Sequence, residues 1–402
     1  MDLPLSEFEL AAKRLAPMLH HTELDLSSTF SAMTGGSIYL KCENRQKTGS
    51  FKIRGASNKI AALMENGGVS SVVASSAGNH AQGVACAAKK FGIPATIVMP
   101  KTAPIAKVQA TEGYGANVVL AGDCYDDAYK AACEICETEH ATFLHPYNDL
   151  DVIAGQGTLG LEIVGDLPTV DMIIVPAGGG GLLAGVAACV KQINPRIEVI
   201  GVQAEGASAI AQSFKAKKYI STDTVSTIAD GIAVKAPGDI TVELINRYAD
   251  NVVTVTDNEI SEAILLLMER CKQIVEPSGA TPVAAVLKGK VDVKGKRVVC
   301  LLSGGNIDVS FIQCIIEQGL VARHRRLRFT VKLLDKPGSL SHLLNHIAGQ
   351  GANIVSVAHD RLSTALSPNE TNVSITCEVG GAEHGKAVVS SLESFGYTVT
   401  IN

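Results

Sequence analysis

Lys52 stands in the run Thr48-Gly49-Ser50-Phe51-Lys52-Ile53-Arg54-Gly55-Ala56. A small polar turn precedes it, and Ile53, Ala56 and Ile60 follow at helical spacing, so the lysine opens a helix for which Ser50 reads as the N-cap. Backbone N–H groups at a helix N-terminus disfavour an ammonium. A neutral, partly desolvated amine is the nucleophile that forms a Schiff base with an aldehyde. A lone lysine is ordinarily a solvated surface residue. Three further loops set this one apart.

The first is Ser75-Ser76-Ala77-Gly78-Asn79-His80, between an apolar run and a helical stretch. Its small residues leave backbone N–H groups free to grip a carboxylate, and Asn79 adds an amide for a ligand oxygen. The second, Ala177-Gly178-Gly179-Gly180-Gly181-Leu182, follows the apolar run MIIVP. Four successive glycines are entropically costly unless bare backbone is used, and a phosphate at the following helix N-terminus is the natural use. The same loop holds a rival. Gly179, Gly181 and Ala184 fit a dinucleotide fingerprint, and Glu205 falls roughly where a ribose-binding acid would, so spacing alone also admits a nicotinamide enzyme. The third loop, Ser303-Gly304-Gly305-Asn306, again closes an apolar run and offers a hydroxyl. In Glu276-Pro277-Ser278-Gly279-Ala280, Pro277 is read as ending one helix before small residues open another.

The elements that must position these loops alternate. Apolar runs at 71–75, 95–99, 117–121, 172–176, 198–203 and 297–303 read as buried strands, with helices at 81–91, 126–139, 182–193 and 260–275 among those between them. Such alternation predicts a largely parallel α/β architecture, whose ligands bind in loops at the strands' carboxyl ends. At 402 residues the chain has room for two or three domains. Its net charge of −5 argues against nucleic-acid and membrane-surface partners. Residues 1–20 mix acids with apolar residues and carry no signal-peptide pattern. Ten cysteines without a framework fit a reducing cytoplasm, and Cys133 and Cys136 read as helix packing rather than a metal or redox pair. A boundary is read near 317–328, where the basic run 323–326 interrupts the apolar pattern, and 321–326 is taken as a solvated linker. The pattern from 327 to 402 is βαββαβ: strands at 327–334, 353–361, 371–379 and 397–401, helices at 339–350 and 383–395, and a Ser/Pro/Asn loop before 371.

The Ser-Phe-Lys-x-Arg-Gly, Ser-Ala-Gly-Asn-His, tetraglycine and Ser-Gly-Gly-Asn motifs occur here in the order found in one family. The chain resembles the pyridoxal-phosphate enzymes of the threonine dehydratase (threonine ammonia-lyase) group over roughly residues 5–320. The segment 327–402, with Asp335-Lys336-Pro337-Gly338, resembles an ACT regulatory domain. The resemblance implies fold type II, with two parallel-sheet α/β subdomains, residues 48–150 forming the smaller and mobile one, followed by an ACT-like α+β domain. It implies pyridoxal 5'-phosphate in place of a nicotinamide. Lys52 would carry the cofactor, Phe51 lie beside it and Asn79 bond the pyridine 3'-oxygen. Gly178, Gly179, Gly180, Gly181 and Leu182 would supply N–H groups to its phosphate, and Ser303 would face the pyridine nitrogen. Ser76, Ala77, Gly78, Asn79 and His80 would form the loop that holds the substrate carboxylate.

The implied chemistry is β-elimination. The amino acid displaces Lys52, the freed amine removes the α-proton, the ring delocalises the carbanion and the β-hydroxyl departs, with the cofactor phosphate as proton donor. A neutral Ser303 opposite the ring nitrogen makes a moderate electron sink, which favours elimination over transamination. L-Threonine would give 2-oxobutanoate and ammonia, and L-serine pyruvate. A related reading is serine racemase or a dedicated serine dehydratase. Racemases of this fold usually carry serine where this chain has Ala77, and here Ala211 stands where their third, acidic cation ligand would be beside Glu205 and the Ala209 carbonyl. Two-base racemisation is therefore expected to be poor and no tightly bound divalent metal is expected. A third reading is a catalytically idle amino-acid sensor. Regulation would act near Gly338, Asn353 and Ile354, with isoleucine the expected inhibitor, valine a candidate antagonist and nucleotides the effectors of some single-ACT relatives. A homodimer or homotetramer is the implied assembly.

Overall fold

The structure, a computed structural model, describes residues 3–361 and 367–402, and they divide into two compact units on either side of the Ile307–Asp308 bond. The first unit holds two sheets. The larger has the strand order Leu24–Leu26, Ser37–Cys42, Arg297–Leu302, Met172–Pro176, Glu198–Ala204, Asn251–Val255. All its pairs are parallel except the first. The smaller is wholly parallel, in the order Asn117–Leu120, Ala95–Met99, Val72–Ser75, Thr142–Phe143. Its strands are inserted between the second and third strands, in chain order, of the larger sheet, so the larger sheet is discontinuous in sequence. Strands buried along their whole length, such as Met172–Pro176, are near-continuous apolar runs because helices cover both faces. Among the described residues no helix is long and apolar enough to cross a membrane.

The lysine helix, Lys52–Glu65, buries Ile53, Ala56 and Ile60 as the spacing requires. Ser50 does not cap it. The cap position is Phe51, without a side-chain bond, while Ser50 pairs through its backbone with Gly304 and its buried hydroxyl finds no partner. The helix packs so closely on helix Leu150–Asp166 that a Cβ on Gly155 would lie 2.6 Å from the Arg54 carbonyl. Helix Asp257–Leu266 is shorter than the pattern suggests. It continues as one wide turn, Leu267–Cys271, and stops where Lys272 takes a φ of 58°. Pro277 does not end that helix. It is the first residue of the next, Pro277–Leu287, where its missing N–H costs nothing.

An ion-pair network anchors the lysine helix to the larger sheet. Arg54, only 1% exposed, donates to both Glu43 oxygens at 2.8 Å and to Glu162 at 2.6 and 3.1 Å. Lys41, also buried, pairs with Glu162 at 2.8 Å, and the Thr22 hydroxyl donates to Glu43 at 2.6 Å. Burial works against the Arg54 charge, but Glu43 and Glu162 overcome it and raise its pKa, while Arg54 and Lys41 hold the Glu162 carboxyl below its usual range despite burial.

The second unit begins with helix Val309–Ala322 and continues as the expected βαββαβ order: Arg326–Leu334, Ser339–Gly349, Asn353–Asp360, Glu370–Glu378, Ala382–Ser394, Val399–Ile401. The four strands form an antiparallel sheet in the order 353–360, 370–378, 326–334, 399–401. Phe329, Val331, Leu343, Val373 and Val388 pack in its core. Within the run 321–326, which is largely exposed, the helix extends through Ala322 and Arg326 already begins the strand, bonded to Glu317 at 2.8 Å. The expected Ser/Pro/Asn loop falls largely on residues 362–366, outside the described residues.

Arg54→Leu leaves Glu43 and Glu162 with a buried deficit of positive charge. We expect it to lower the unfolding free energy of the first unit by about 3–5 kcal/mol, read by denaturant titration. A loss below about 1 kcal/mol would show the network to be solvated in practice.

Candidate active site

Backbone pairing zips the lysine turn to the Ser303 loop. The Phe51 N–H donates to the Ser303 carbonyl at 3.0 Å and the Gly305 N–H to the Gly49 carbonyl at 2.9 Å. Asn306 then reaches across, donating from Nδ2 to the Thr48 carbonyl at 3.0 Å and to Oδ1 of Asn79. The Asn79 Nδ2 donates in turn to both oxygens of Glu276, at 2.8 and 2.9 Å. Three separately predicted loops, those of Lys52, Asn79 and Ser303, therefore meet in one place, and Ser303 is buried there.

The Lys52 amine donates to the Pro146 carbonyl at 2.9 Å and lies 5.3 Å from the centre of the Phe51 ring. It keeps partial solvent access, yet the protein around it depresses its pKa to about 8. Burial causes the drop and the Glu276 charge opposes it. Its acceptor is a neutral carbonyl, which does not hold the ammonium as a carboxylate would. His80 and His145 are held neutral by burial first and by Lys52 second, at about 3 and about 4. The neutral His80 donates from Nε2 to the Leu144 carbonyl at 2.9 Å. His145 accepts at Nδ1 from the N–H groups of Tyr147 and Asn148, at 3.2 and 2.8 Å, which places its proton on Nε2.

Residues 146–147 link the lysine to the tetraglycine loop. Tyr147 donates its hydroxyl to the Ala236 carbonyl at 3.0 Å and lies flush on the loop, where a Cβ on Gly179 would fall 2.4 Å from its ring. Gly180 has a φ of 97° and a Cβ there would meet the Thr241 hydroxyl at 2.7 Å. That hydroxyl donates to the Gly179 carbonyl at 2.7 Å. Among the described residues, the N–H groups of Gly178, Gly179 and Gly180 find no acceptor, and helix Gly181–Ile193 begins immediately after them. Bare N–H groups at a helix start are an anion site. Bare N–H groups connected through two residues to a depressed-pKa lysine fit a phosphorylated aldehyde.

The loop 76–80 lies at the end of strand Val72–Ser75. Ser76, Ala77, Gly78 and Asn79 stay half-exposed, with the Ser76 hydroxyl accepting from the Gly78 N–H at 3.2 Å. The His80 ring instead turns inward to Leu144. Pro146, Tyr147, Thr241, Glu276 and Asn306 were not anticipated as site residues. Asn306 lay within a recognised motif, and Glu276 was seen only as helix punctuation. A backbone acceptor such as Pro146 leaves no mark in the sequence. In the second unit, Gly338 lines a cavity of about 600 Å³ with Asp335, Lys336, His359 and Arg361, and Asp335 pairs with Arg361 at 2.9 Å. Asn353 and Ile354 do not line it. Asn353 bonds Glu378 at 3.1 Å instead.

Residues 16–304 match the family described as pyridoxal-phosphate dependent enzyme. The chain belongs to that family. An L-threonine ammonia-lyase of Thermotoga maritima is 48% identical over 399 residues, covering 99% of each chain. Among solved structures, maize serine racemase superposes with a TM-score of 0.75 at 37% identity, covering 81% of this chain and 100% of that one. Processed threonine deaminase isoform 2 of Solanum lycopersicum gives a TM-score of 0.75 at 34% identity, covering 79% and 88%. The two parallel sheets are thus those of fold type II, and the cofactor is pyridoxal 5'-phosphate rather than a nicotinamide. The Lys52 amine and the bare N–H groups of Gly178, Gly179 and Gly180 have the chemistry that an aldehyde and a phosphate call for.

Two outcomes test this geometry. The Lys52 amine of the cofactor-free protein should become reactive toward aldehydes as pH rises through about 8, because the neutral form is the nucleophile. A midpoint near 10 would contradict its desolvation. Gly180→Ala should weaken cofactor binding, read by absorbance titration, by at least about tenfold, since a left-handed conformation and a contact with Thr241 both oppose the methyl. Unchanged affinity would remove the loop from the site.

Proposed function

We propose that this chain is an L-threonine ammonia-lyase that converts L-threonine to 2-oxobutanoate and ammonia, and L-serine to pyruvate. The observation that carries the reading is the Lys52 amine, pKa about 8, bonded to the Pro146 carbonyl beside the glycine cradle. The Thermotoga maritima relative, which spans both units, supports threonine as the substrate. Bound pyridoxal phosphate supplies an electron sink for charge developing at the amino acid's α-carbon. Lys52, once free, takes the α-proton. An amine half-neutral at about pH 8 suits that task, because catalytic bases work best near the operating pH. Ser76, Ala77, Gly78 and Asn79 orient the substrate carboxylate through backbone N–H groups. Asn79 donates to the cofactor's ring oxygen, Phe51 flanks the ring, and Ser303 offers its ring nitrogen a hydroxyl.

Serine racemisation is the second reading, favoured by the maize racemase likeness. Ala77 speaks against it, since a methyl cannot deliver a proton to the opposite face. The second unit is read as an ACT-like regulatory module, with the cavity beside Gly338 as its effector site and the strand start at Asn353 and Ile354 as a contact surface. Isoleucine is the first effector to try and nucleotides the second. A cytoplasmic homodimer or homotetramer, with residues 48–150 moving as the smaller subdomain, completes the proposal.

Purified protein loaded with pyridoxal phosphate should release 2-oxobutanoate from L-threonine, and Lys52→Ala should reduce turnover by at least about a hundredfold. Suppression by isoleucine would support the regulatory reading. Absence of turnover on both threonine and serine, or D-serine formed faster than pyruvate, would overturn the lyase assignment.

A further inference from the structure

Glu276 ends a one-way chain of hydrogen bonds. The Thr48 carbonyl can only accept, so it fixes the Asn306 Nδ2, which then meets the Asn79 oxygen and turns the Asn79 Nδ2 toward Glu276. At that end stands a carboxyl only 4% exposed, both of whose oxygens accept from the one amide nitrogen. The backbone of Asn306 also favours its charged form. The carboxyl lies against Gly304, where a Cβ would come within 2.6 Å of Oε1. An ionised carboxylate is acceptor-only and suits all these donors. A carboxylic acid must place its own O–H among them.

We infer that Glu276 is a positioning residue for the cofactor: its carboxylate completes, from the far side, the lock on the Asn79 amide that begins at Thr48, so that Asn79 meets the cofactor oxygen as an N–H donor, and neutralising it weakens that lock. The inference rests on the reading of Asn79 as the partner of that ring oxygen. A donor at this point favours the ionised form of the ring oxygen, so the orientation that the Glu276 carboxylate imposes on the Asn79 amide is passed on to the cofactor.

The charged groups around Glu276 are few. Lys52 faces it from the lysine helix, Asp230 from the short turn Asp230–Ile232, and Lys107 from helix Ile105–Gly113. Lys107 and Asp230 pair with each other at 3.1 Å. The neighbouring His80 and His145 stay neutral through the working range. Burial, with Asp230 adding to it, raises the Glu276 pKa to about 7 against the bond from Asn79, the Asn306 backbone and the charge of Lys107. The carboxylate therefore prevails above about pH 7, and the lock weakens as pH falls below it.

Glu276→Gln keeps the shape and removes the charge, and its amide sets a donor against donors. The test is the dissociation constant of pyridoxal phosphate from the apoprotein, by absorbance titration of wild type and E276Q at pH 8.5 and pH 6. Taking the ratio at each pH cancels the cofactor's own titration. We expect E276Q to bind about tenfold more weakly at pH 8.5, the scale of one charge-assisted hydrogen bond, and the gap to close to within about twofold at pH 6. If E276Q does not fold, as judged by circular dichroism, Glu276→Asp serves instead: it keeps the charge, so its cofactor affinity should keep the wild-type pH dependence while being weaker throughout. An E276Q ratio that is the same at both pH values would assign Glu276 a merely structural role and overturn the inference, as would equal affinities at pH 8.5 or a pH-independent E276D. Wild type that takes up no pyridoxal phosphate at either pH would overturn the cofactor reading itself, and the inference with it.

Discussion

Depressing a lysine pKa to about 8 requires that the ammonium lose most of its hydration and have no close carboxylate to hold it, and the first unit is arranged around that requirement. The Lys52 amine meets a backbone carbonyl, and the histidines nearest to it are themselves uncharged. The nearest carboxyl acting on it, Glu276, is raised to about 7 and is tied to Asn79 rather than to the amine. These placements depend on backbone more than side chains. The bonds from Phe51 to Ser303 and from Gly305 to Gly49 fix where the lysine turn lies, and Pro146 fixes where its amine points.

The lysine helix is held from its other side by charges that are themselves buried. Arg54 lies two residues beyond Lys52 and satisfies two carboxylates that belong to different elements, Glu43 beside the larger sheet and Glu162 on helix Leu150–Asp166. A hydrophobic contact of equal size would tolerate a sliding helix. A bidentate guanidinium between two fixed carboxylates does not, because a small displacement exposes unpaired charge in a dry setting. The site thus combines a lysine of depressed pKa with a strongly ionic anchor on the same helix.

Much of this was legible in the sequence, for identifiable reasons. The strands Ala95–Met99 and Met172–Pro176 coincide with their apolar runs because each is buried throughout and bounded by turn residues. The pairs Leu24–Leu26 and Thr142–Phe143 carry too few residues to show a period, and they exist because a neighbouring strand offers hydrogen bonds. Ser50 fits a cap by type, but backbone pairing with Gly304 claims its position. The glycine loop announced itself because four Cβ atoms would be needed where Ile232, Tyr147 and Thr241 already sit. Glu276 could not be read, because its role is defined by Asn79, which lies 197 residues away in the chain and is brought beside it only by folding. The basic run near 323 looked solvated by composition, whereas Glu317, one helix face earlier, draws Arg326 into a pair.

The account stands or falls on Lys52 being the point of covalent attachment for the cofactor. Borohydride treatment of the pyridoxal-phosphate-loaded protein, followed by digestion and mass spectrometry, locates that attachment directly. A phosphopyridoxyl mass on the peptide containing Lys52, absent from protein treated without cofactor, is the predicted result. A mass on any other lysine, or on none while the cofactor is bound, would contradict the account.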